Sequence, residues 1–492
     1  MIVTSAKLDQ SEYGLLHSRY NELANNTIDY WMLPDDREMS ANRINRAIEN
    51  AVVYPESTLQ IYIHVPFCAQ RCRFCAFSGG NTLEFKQAEK YSRLVVAQMR
   101  SLLNQTRIRG RSIKSVNIGG GSPDLVGTNI AHILQAIRDL PGISDQTEIS
   151  VEFTLSTVSP EFIDELARFN VTKASFGIQS LNPHVRRLMR QPKSIHHLEK
   201  VLRWIDGRIP VVNADVITGM PGQSLQVVLS DLNQLMKDPR INAISSYLLT
   251  PGAAPALLAA IKNQESPDMP AHEEQALMRL HTYATFLRQG WIRRGTNTYV
   301  DPDRISAEVI SQIAGNECIG ASHFEDFLLG VGPQAISFLP GARVENHVDI
   351  RAWANAIETG GNPFHLPKCS DTEQRDTALW VFPLRWEGLK QSRFDEMVAR
   401  NALSPEQLEL FSDFEDEGLV ARTNDGFRLS ILGEVFMGRL VRDLKRSAGQ
   451  QAVDQYIAEG HALAQAISDG KLRDENSVNN RQISDVVQIE EA

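Results

Sequence analysis

Three closely spaced cysteines are the residues of this 492-residue chain that point most directly to chemistry. Cys68, Cys72 and Cys75 form a CxxxCxxC pattern in the segment CAQRCRFC. A structural zinc ion takes four protein ligands, and no fourth cysteine or histidine follows at zinc-ribbon spacing. A cubane iron-sulfur cluster is also held by thiolates, and three thiolates leave one iron with an open position. The pattern therefore predicts a [4Fe-4S] cluster whose fourth iron takes an exchangeable ligand.

Short β-rich runs, separated by segments whose apolar residues repeat with helical periodicity, must position this loop. The runs cover residues 59–65, 115–119, 149–154, 173–179, 212–218 and 243–249. Their apolar residues appear continuous more than alternating, which is typical of a parallel sheet covered on both faces. Six such units in series predict an α/β fold with a partial (β/α)6 barrel, in which reacting groups lie at the carboxyl ends of the strands. The cysteine loop directly follows the first run.

Composition shifts divide the chain into four predicted parts. Residues 1–57 form a polar lead-in, and residues 58–365 contain the barrel with an extension. Residues 370–450 are rich in helical patterns followed by a hairpin-like segment, which predicts an α-rich, winged-helix-like C-terminal domain. Residues 470–492 are polar, and we expect a disordered tail there.

Charge and hydropathy exclude several classes of protein. The chain has 50 Lys and Arg against 60 Asp and Glu, a net charge of −10, which makes nucleic acid an unfavourable partner. No apolar run has the length of a membrane span, and no secretory signal pattern stands at the start, so we expect a cytoplasmic protein without a membrane partner. Five cysteines in so long a chain do not form a disulfide framework. The expected partner is a small-molecule substrate.

The cysteine pattern and the preceding YIHVPFC resemble the radical SAM superfamily. In that family the amino and carboxylate groups of S-adenosylmethionine (SAM) chelate the free iron. One electron from the reduced cluster cleaves SAM to a 5′-deoxyadenosyl radical, which abstracts hydrogen from an unactivated carbon. The resemblance also implies a one-electron donor such as flavodoxin or ferredoxin. The cofactor carries the difficult chemistry, and the protein orients it.

Further motifs narrow the resemblance to the oxygen-independent coproporphyrinogen III oxidase-like (HemN-like) family. In chain order these are GGGSP at 119–123, SVEFT around Glu152, FGIQS around Gln179, NADVITGMPGQ around Asp215, and GVGPQAIS. The likeness spans about residues 58–365. It implies two SAM molecules in one site.

The family pattern implies a set of contacts for each SAM. For the first SAM the matching positions are Tyr62, Gly120, Glu152, Arg190 and Ile336. For the second they are Phe74, Gly121, Ser122, Gln179, Asp215 and Leu248. The chain is one residue shorter than the family pattern before Arg190, so Arg186 and Arg187 are alternatives to it.

One departure from the oxidase pattern favours another branch. The oxidases carry a fourth cysteine two residues after the third, and this chain has Phe77 there. Class C radical SAM methyltransferases and cyclopropanases keep the two-SAM barrel with a CxxxCxxCxF pattern. We therefore expect C-methylation or cyclopropanation of an aromatic small molecule. Coproporphyrinogen decarboxylation in haem biosynthesis and haem trafficking by a chaperone remain as alternatives.

Overall fold

A computed structural model describes most of the chain between residues 57 and 436. The described residues are 57–75, 85–104, 108–191, 194–249, 254–295, 297–313, 327–339, 342–368, 383–384 and 388–436. Nearly all of the predicted lead-in, the predicted tail and Phe77 lie outside them. Within these ranges no helix is long and apolar enough to cross a membrane.

Six parallel strands form the centre of the fold, each paired with the next in chain order. They are β1 (Leu59–Val65), β2 (Ile113–Gly120), β3 (Glu148–Phe153), β4 (Lys173–Gln179), β5 (Val211–Thr218) and β6 (Ala243–Leu248). The ends of each strand lie within two residues of the ends of a predicted run. The structure thus confirms the α/β class and the six-unit parallel arrangement, because the β-rich runs and helical periods were long enough to define both.

Helices connect successive parallel strands. They are α1 (Phe85–Leu103), α2 (Ile130–Arg138), α3 (Pro160–Arg168), α4 (Pro183–Leu188), α5 (Leu198–Ile205) and α6 (Leu225–Lys237). Local signals fix several of their starts: the Ser159 hydroxyl accepts from the Phe162 amide at α3, and Asn182 caps α4 in the same way. A proline follows each of these two caps at the first helical turn, where its missing N–H costs nothing.

Further strands widen the sheet on both sides of the six. On the β6 side lie β7 (Ile292–Arg293) and β8 (Thr298–Val300); on the β1 side lie β9 (Phe327–Val331), β10 (Ile336–Leu339), β11 (Ala342–Asn346) and β12 (Phe364–Lys368). The accompanying helices are α7 (Pro255–Lys262), α8 (His272–Arg288), α9 (Ala307–Gln312) and α10 (Ile350–Glu358). Strand β9 pairs parallel to β1, so the GVGPQAIS motif borders the strand that precedes the cysteines.

The expectation that the strands are continuously apolar is wrong. Residues alternate, and the polar ones share a face, as cross-strand hydrogen bonds show: Ser175 donates to Asp215 at 2.9 Å, and Ser245 donates to Asn213 at 3.1 Å. The apolar residues between them join the helices in one core. Most of the polar face is nevertheless buried, and we call it the interior face. Its members include Gln60, Tyr62, His64, Ser115, Asn117, Glu148, Ser150, Glu152, Lys173, Ser175, Asn213, Asp215 and Ser245.

A separate three-stranded sheet packs near the C-terminal end of the described chain. It contains β13 (Leu389–Lys390), β14 (Val420–Arg422) and β15 (Gly426–Leu429), with α11 (Gln391–Ala399), α12 (Pro405–Asp416) and α13 (Ile431–Val435). Phe394, Phe411 and Phe427 meet with ring centroids 5.0 to 5.1 Å apart. An ion pair between Arg293 and Glu434 links this unit to β7. The four predicted domain boundaries remain predictions.

Candidate active site

The cysteine loop lies at the carboxyl end of β1, where backbone hydrogen bonds hold both of its ends. The Gly121 amide donates to the Val65 carbonyl at 2.7 Å, and the Ser122 amide donates to the Phe67 carbonyl at 2.6 Å. Further along, the Arg73 amide donates to the Met189 carbonyl at 3.0 Å. The turn after β2 and the segment after α4 therefore fix the loop between them.

The three thiols fit the predicted cluster. Cys68, Cys72 and Cys75 are free of disulfides and partly exposed. Burial raises the pKa of the Cys72 thiol to about 11, and the neighbouring Cys68 adds to this effect. Ser122 Oγ and Gln191 Nε2 approach the Cys68 and Cys72 sulfurs at 3.9 Å each. Three thiols on one loop, with hydrogen-bond donors aimed at sulfur, form a donor set suited to a [4Fe-4S] cluster.

The side chain of Arg73 clamps the cysteine loop to two distant segments. Arg73 Nη1 donates to the Leu188 carbonyl at 3.1 Å, and its guanidinium pairs with the Glu265 carboxylate. Arg73 is largely buried, whereas the Glu265 side chain is about half exposed. The sequence does not predict this clamp, because Glu265 lies 192 residues away from Arg73 in the chain and only the fold brings the two together.

The GGG turn after β2 is required by the protein's own packing. A Cβ on Gly119 would lie 2.6 Å from the Glu152 carboxyl, and one on Gly120 would lie 2.6 Å from the His64 ring. A Cβ on Gly121 would lie 2.5 Å from the Phe67 carbonyl oxygen. Gly120 also has a φ of +99°, which L side chains rarely adopt. The glycines therefore let β1, β3 and the cysteine loop approach one another.

Tyr62 and His64 form a buried pair on the interior face of β1. The Tyr62 hydroxyl and His64 Nδ1 are 2.9 Å apart, and the Tyr91 hydroxyl donates to the His64 carbonyl at 2.7 Å. Burial lowers the pKa of His64 to about 4, so the imidazole is neutral at physiological pH. The pair fixes the phenol of Tyr62, which the family pattern places against the first SAM.

Two carboxylates from different strands are deep in the interior face yet keep some accessible surface. Burial, together with the charge of Asp215, raises the pKa of Glu152 to about 7. Burial likewise raises the pKa of Asp215 to about 6, opposed by Lys173 and by hydrogen bonds from Ser175 and Asn213. A site that holds two such carboxylates favours a cationic ligand.

Several buried hydrogen-bond acceptors on the interior face show whether the site suits SAM. Asn117 Oδ1, Ser150 Oγ and Gln179 Oε1 are buried, and among the described residues they find no hydrogen-bond partner. Such atoms are costly unless a ligand or water satisfies them. Gln179 also has a φ of 62°, a strained backbone at the end of β4. SAM carries ammonium and hydroxyl donors, so these acceptors fit it.

The remaining predicted SAM contacts are spread around these groups. Ser122 bonds to the Thr154 hydroxyl at 2.7 Å beside Cys68. Phe74 packs on a small apolar cluster that includes Val185 and Met189, and Leu248 would contact a side chain placed at Gly219. Ile336 begins β10, against the backbone of β9 at Gly330.

The three candidate arginines occupy different positions. Arg190 is 60% exposed and lies 3.6 Å from the Glu265 carboxylate. Arg187 is exposed, whereas Arg186 is buried and donates to the Ile178 carbonyl at 2.7 Å. The charges of Arg186 and Cys72 act on each other's pKa. Of these three arginines, Arg186 is the one whose charge acts on a thiol of the cysteine loop.

Comparison with known proteins defines the class of this enzyme. Residues 62–235 match the family model described as the Radical SAM superfamily. This span includes the three cysteines, the GGG turn and both interior carboxylates. The chain therefore contains a radical SAM domain, and this domain implies a [4Fe-4S] cluster and SAM.

Individual proteins that are similar to this chain show which radical SAM enzymes it resembles. An oxygen-independent coproporphyrinogen III oxidase of Synechocystis sp. is 25% identical over 409 residues, 78% of this chain and 84% of that protein. The enzyme of the same name from Escherichia coli is 23% identical over 345 residues, 68% of this chain and 73% of that protein. The solved structure described as coproporphyrinogen III oxidase (HemN) from Escherichia coli matches with a TM-score of 0.66 at 18% identity, covering 83% of this chain and 94% of that one. These relatives confirm the HemN-like resemblance and the fold.

The preference for methylation or cyclopropanation is wrong. The curated relatives reported above are named as oxidases and match across most of their own length. The preference depended on Phe77, a single residue two positions beyond the third cluster cysteine. One residue outside the ligand set carries less information than similarity across about four fifths of the chain.

Proposed function

We propose that this enzyme carries out oxygen-independent oxidative decarboxylation of coproporphyrinogen III. In each decarboxylation a propionate side chain becomes a vinyl group. One hydrogen atom leaves the carbon next to the ring, CO₂ leaves with cleavage of a carbon–carbon bond, and one electron passes to a one-electron acceptor. The reaction needs a one-electron donor, for which flavodoxin or ferredoxin is suited.

The observation that carries the proposal is the similarity to the Synechocystis enzyme, which covers 84% of that protein. Fold alone does not define a reaction. Here the similarity extends over 78% of this chain, well beyond the 174 residues of the radical SAM match at 62–235. The thiols of the cysteine loop and the acceptors of the interior face support the same cofactors.

Each part of the site has a role in the proposed reaction. When bound, the cluster and SAM supply a carbon-centred oxidant strong enough to remove hydrogen from an unactivated carbon. Cys68, Cys72 and Cys75 would hold the cluster, and the Arg73 clamp keeps their loop in place.

We further propose that the site binds two SAM molecules. Glu152 and Asp215 lie on β3 and β5, with β4 between them, so each can receive a separate cationic ligand. Equilibrium dialysis of the reconstituted protein should give two SAM per chain. Glu152→Gln and Asp215→Asn should each reduce this number to one, and a single SAM in the unmodified protein would contradict the proposal.

Anaerobic turnover tests the reaction itself. The reconstituted enzyme is given coproporphyrinogen III, methyl-deuterated SAM and a one-electron donor and acceptor. We expect one CO₂, one methionine and one 5′-deoxyadenosine for each propionate lost, with no deuterium in the product. The Cys72→Ser variant serves as the inactive control.

Two outcomes would overturn the proposed function. Deuterium in the product would show that a methyl group is transferred. SAM cleavage that is independent of coproporphyrinogen III, without CO₂ release, would show that the substrate is different. Complementation of a strain that lacks anaerobic haem synthesis provides an independent measurement.

A further inference from the structure

A completely buried lysine lies on the interior face below the predicted SAM contacts. Lys173 is the first residue of β4, and its side chain has no accessible surface. Its Nζ lies 3.9 Å from Oε1 of Glu148, whose side chain is 1% exposed. Burial of two charges costs several kcal/mol per ion before their attraction is counted. An ion pair at this depth therefore needs a physical reason.

The register of the strands places Lys173 between two carboxylates. Lys173 pairs with Ser150 on β3, so Glu148 and Glu152 lie two residues to either side of its partner on the same face. On the other side, β5 carries Asp215, which hydrogen bonds connect to Ser175 of β4. The lysine thus lies among three carboxylates from two neighbouring strands.

The charges on this face do not balance. On the interior face of the six described parallel strands, Lys173 is the cationic residue, and Glu148, Glu152 and Asp215 are the acidic ones. The other titratable side chains there are Tyr62 and His64 from β1 and Tyr247 from β6. One ammonium cannot neutralise three carboxylates. Without it, repulsion and burial would drive protons onto Glu152 and Asp215.

We propose that Lys173 is a positioning residue that keeps Glu152 and Asp215 ionised, and thereby sets the pH range over which the enzyme binds SAM. The charge of Lys173 lowers the pKa of both carboxylates, against the burial that raises them. Glu148 has the opposite effect, because it neutralises part of that charge. Lys173 acts through the two carboxylates and does not itself touch a ligand.

The sign of the pH dependence follows from this arrangement. Protonation removes the negative charge that attracts a cationic ligand, so SAM affinity should rise with pH as Asp215 and Glu152 ionise, from about 6 to about 7. Loss of Lys173 should move this rise to higher pH. Loss of Glu148 should move it to lower pH, because Lys173 then acts on the other two carboxylates with its full charge.

Calorimetric titration of the anaerobically reconstituted enzyme with SAM, across a pH series, tests the proposal. For Lys173→Met we expect the midpoint of the affinity curve to rise by about one pH unit, within the usual range for losing a nearby opposite charge. Below both midpoints this corresponds to affinity weaker by about tenfold, and the loss shrinks as pH rises until affinity is recovered in alkaline buffer. Glu148→Gln should lower the midpoint, and Lys173→Arg should retain it.

A second variant and a defined negative result allow the test to decide for or against the proposal. If Lys173→Met does not fold, the double variant Lys173→Met with Glu148→Gln removes both charges of the buried pair, so that neither ion of that pair stays buried without the other, and the midpoint should still rise because Glu152 and Asp215 lose the lysine charge. A uniform loss of affinity with an unchanged midpoint in all variants would show that the pair is only structural and overturn the proposal. SAM binding requires no coproporphyrinogen III, so failure of the decarboxylation assay would not affect this result, nor would this result affect that assay.

Discussion

Replacing Gly121 by alanine tests the reasoning about the turn that holds the cysteine loop. The new Cβ would lie 2.5 Å from the Phe67 carbonyl oxygen and 2.7 Å from that of Val65. Both atoms are backbone, so neither can rotate away. Because an ordinary carbon–oxygen contact is about 3.3 Å or longer, the loop must move by roughly 0.6–0.8 Å. Cys68 directly follows Phe67 and must move with it.

The cost of this substitution can be estimated from its parts. Overpacking costs about 1–3 kcal/mol, and weakening the bond from the Gly121 amide to the Val65 carbonyl adds about 1 kcal/mol. We expect the apparent free energy of unfolding to fall by about 2–4 kcal/mol and the reconstituted protein to hold less iron. Denaturant unfolding and iron analysis of the same preparation measure the two effects.

Gly361→Ala is the matched control for this prediction. A Cβ at Gly361 would be 3.4 Å from the Thr359 hydroxyl and 3.6 Å from the Ala356 carbonyl, which are ordinary contacts. Neither Gly361 nor Gly121 has a positive φ, so the two variants differ mainly in the overlap. Equal iron content and equal stability in the two variants would refute the argument that the turn positions the loop.

Three further substitutions test other parts of the site and fold. Cys72→Ser should reduce iron from about four per chain to near background, whereas Cys369→Ser, outside the CxxxCxxC pattern, should retain it by iron analysis. Arg73→Met should speed loss of the cluster absorbance under chelator, because the loop loses its clamp; an unchanged rate would contradict that role. Glu434→Gln should cost about 1–3 kcal/mol by removing the carboxylate charge that pairs with Arg293, detectable as faster proteolysis of residues 388–436 than in the unmodified protein.

The pattern of residues along the chain predicted much of this protein. The six strands follow from β-rich runs within two residues of the observed ends, and Ser159 and Asn182 mark the starts of their helices as local capping signals do. The cysteine spacing identified the cluster loop without any structure. These features depend on neighbours along the chain, which is why one sequence sufficed.

The polar layer of the barrel was not predicted, because the strands were expected to be continuously apolar and in fact alternate polar and apolar residues. In LQIYIHV every second residue is polar or aromatic with a polar tip, which contradicts the prediction of a continuously apolar run. The signal was present in the period-two pattern. With it, Glu148 and Lys173 could have been placed on the same interior face as Glu152 and Asp215.

The wrong prediction of a methyltransferase has a different cause. Phe77 distinguishes subfamilies by one position, and no physical argument ties that side chain to methyl transfer. The site geometry also does not decide between the reactions, since both need a cluster and SAM. Similarity over hundreds of residues favoured the oxidases.

By itself the sequence determined the ligand chemistry of the cysteines, the order of strands and helices, and the overall negative charge, because each depends on composition or short-range spacing. Only the tertiary structure decided which distant groups meet: Arg73 with Glu265, Gln191 with Cys72, and Lys173 with the carboxylates of β3 and β5. Those contacts join segments separated by tens to hundreds of residues. Electrostatic effects depend on distance and burial in space, so the charge state of the site appears only once the chain has folded.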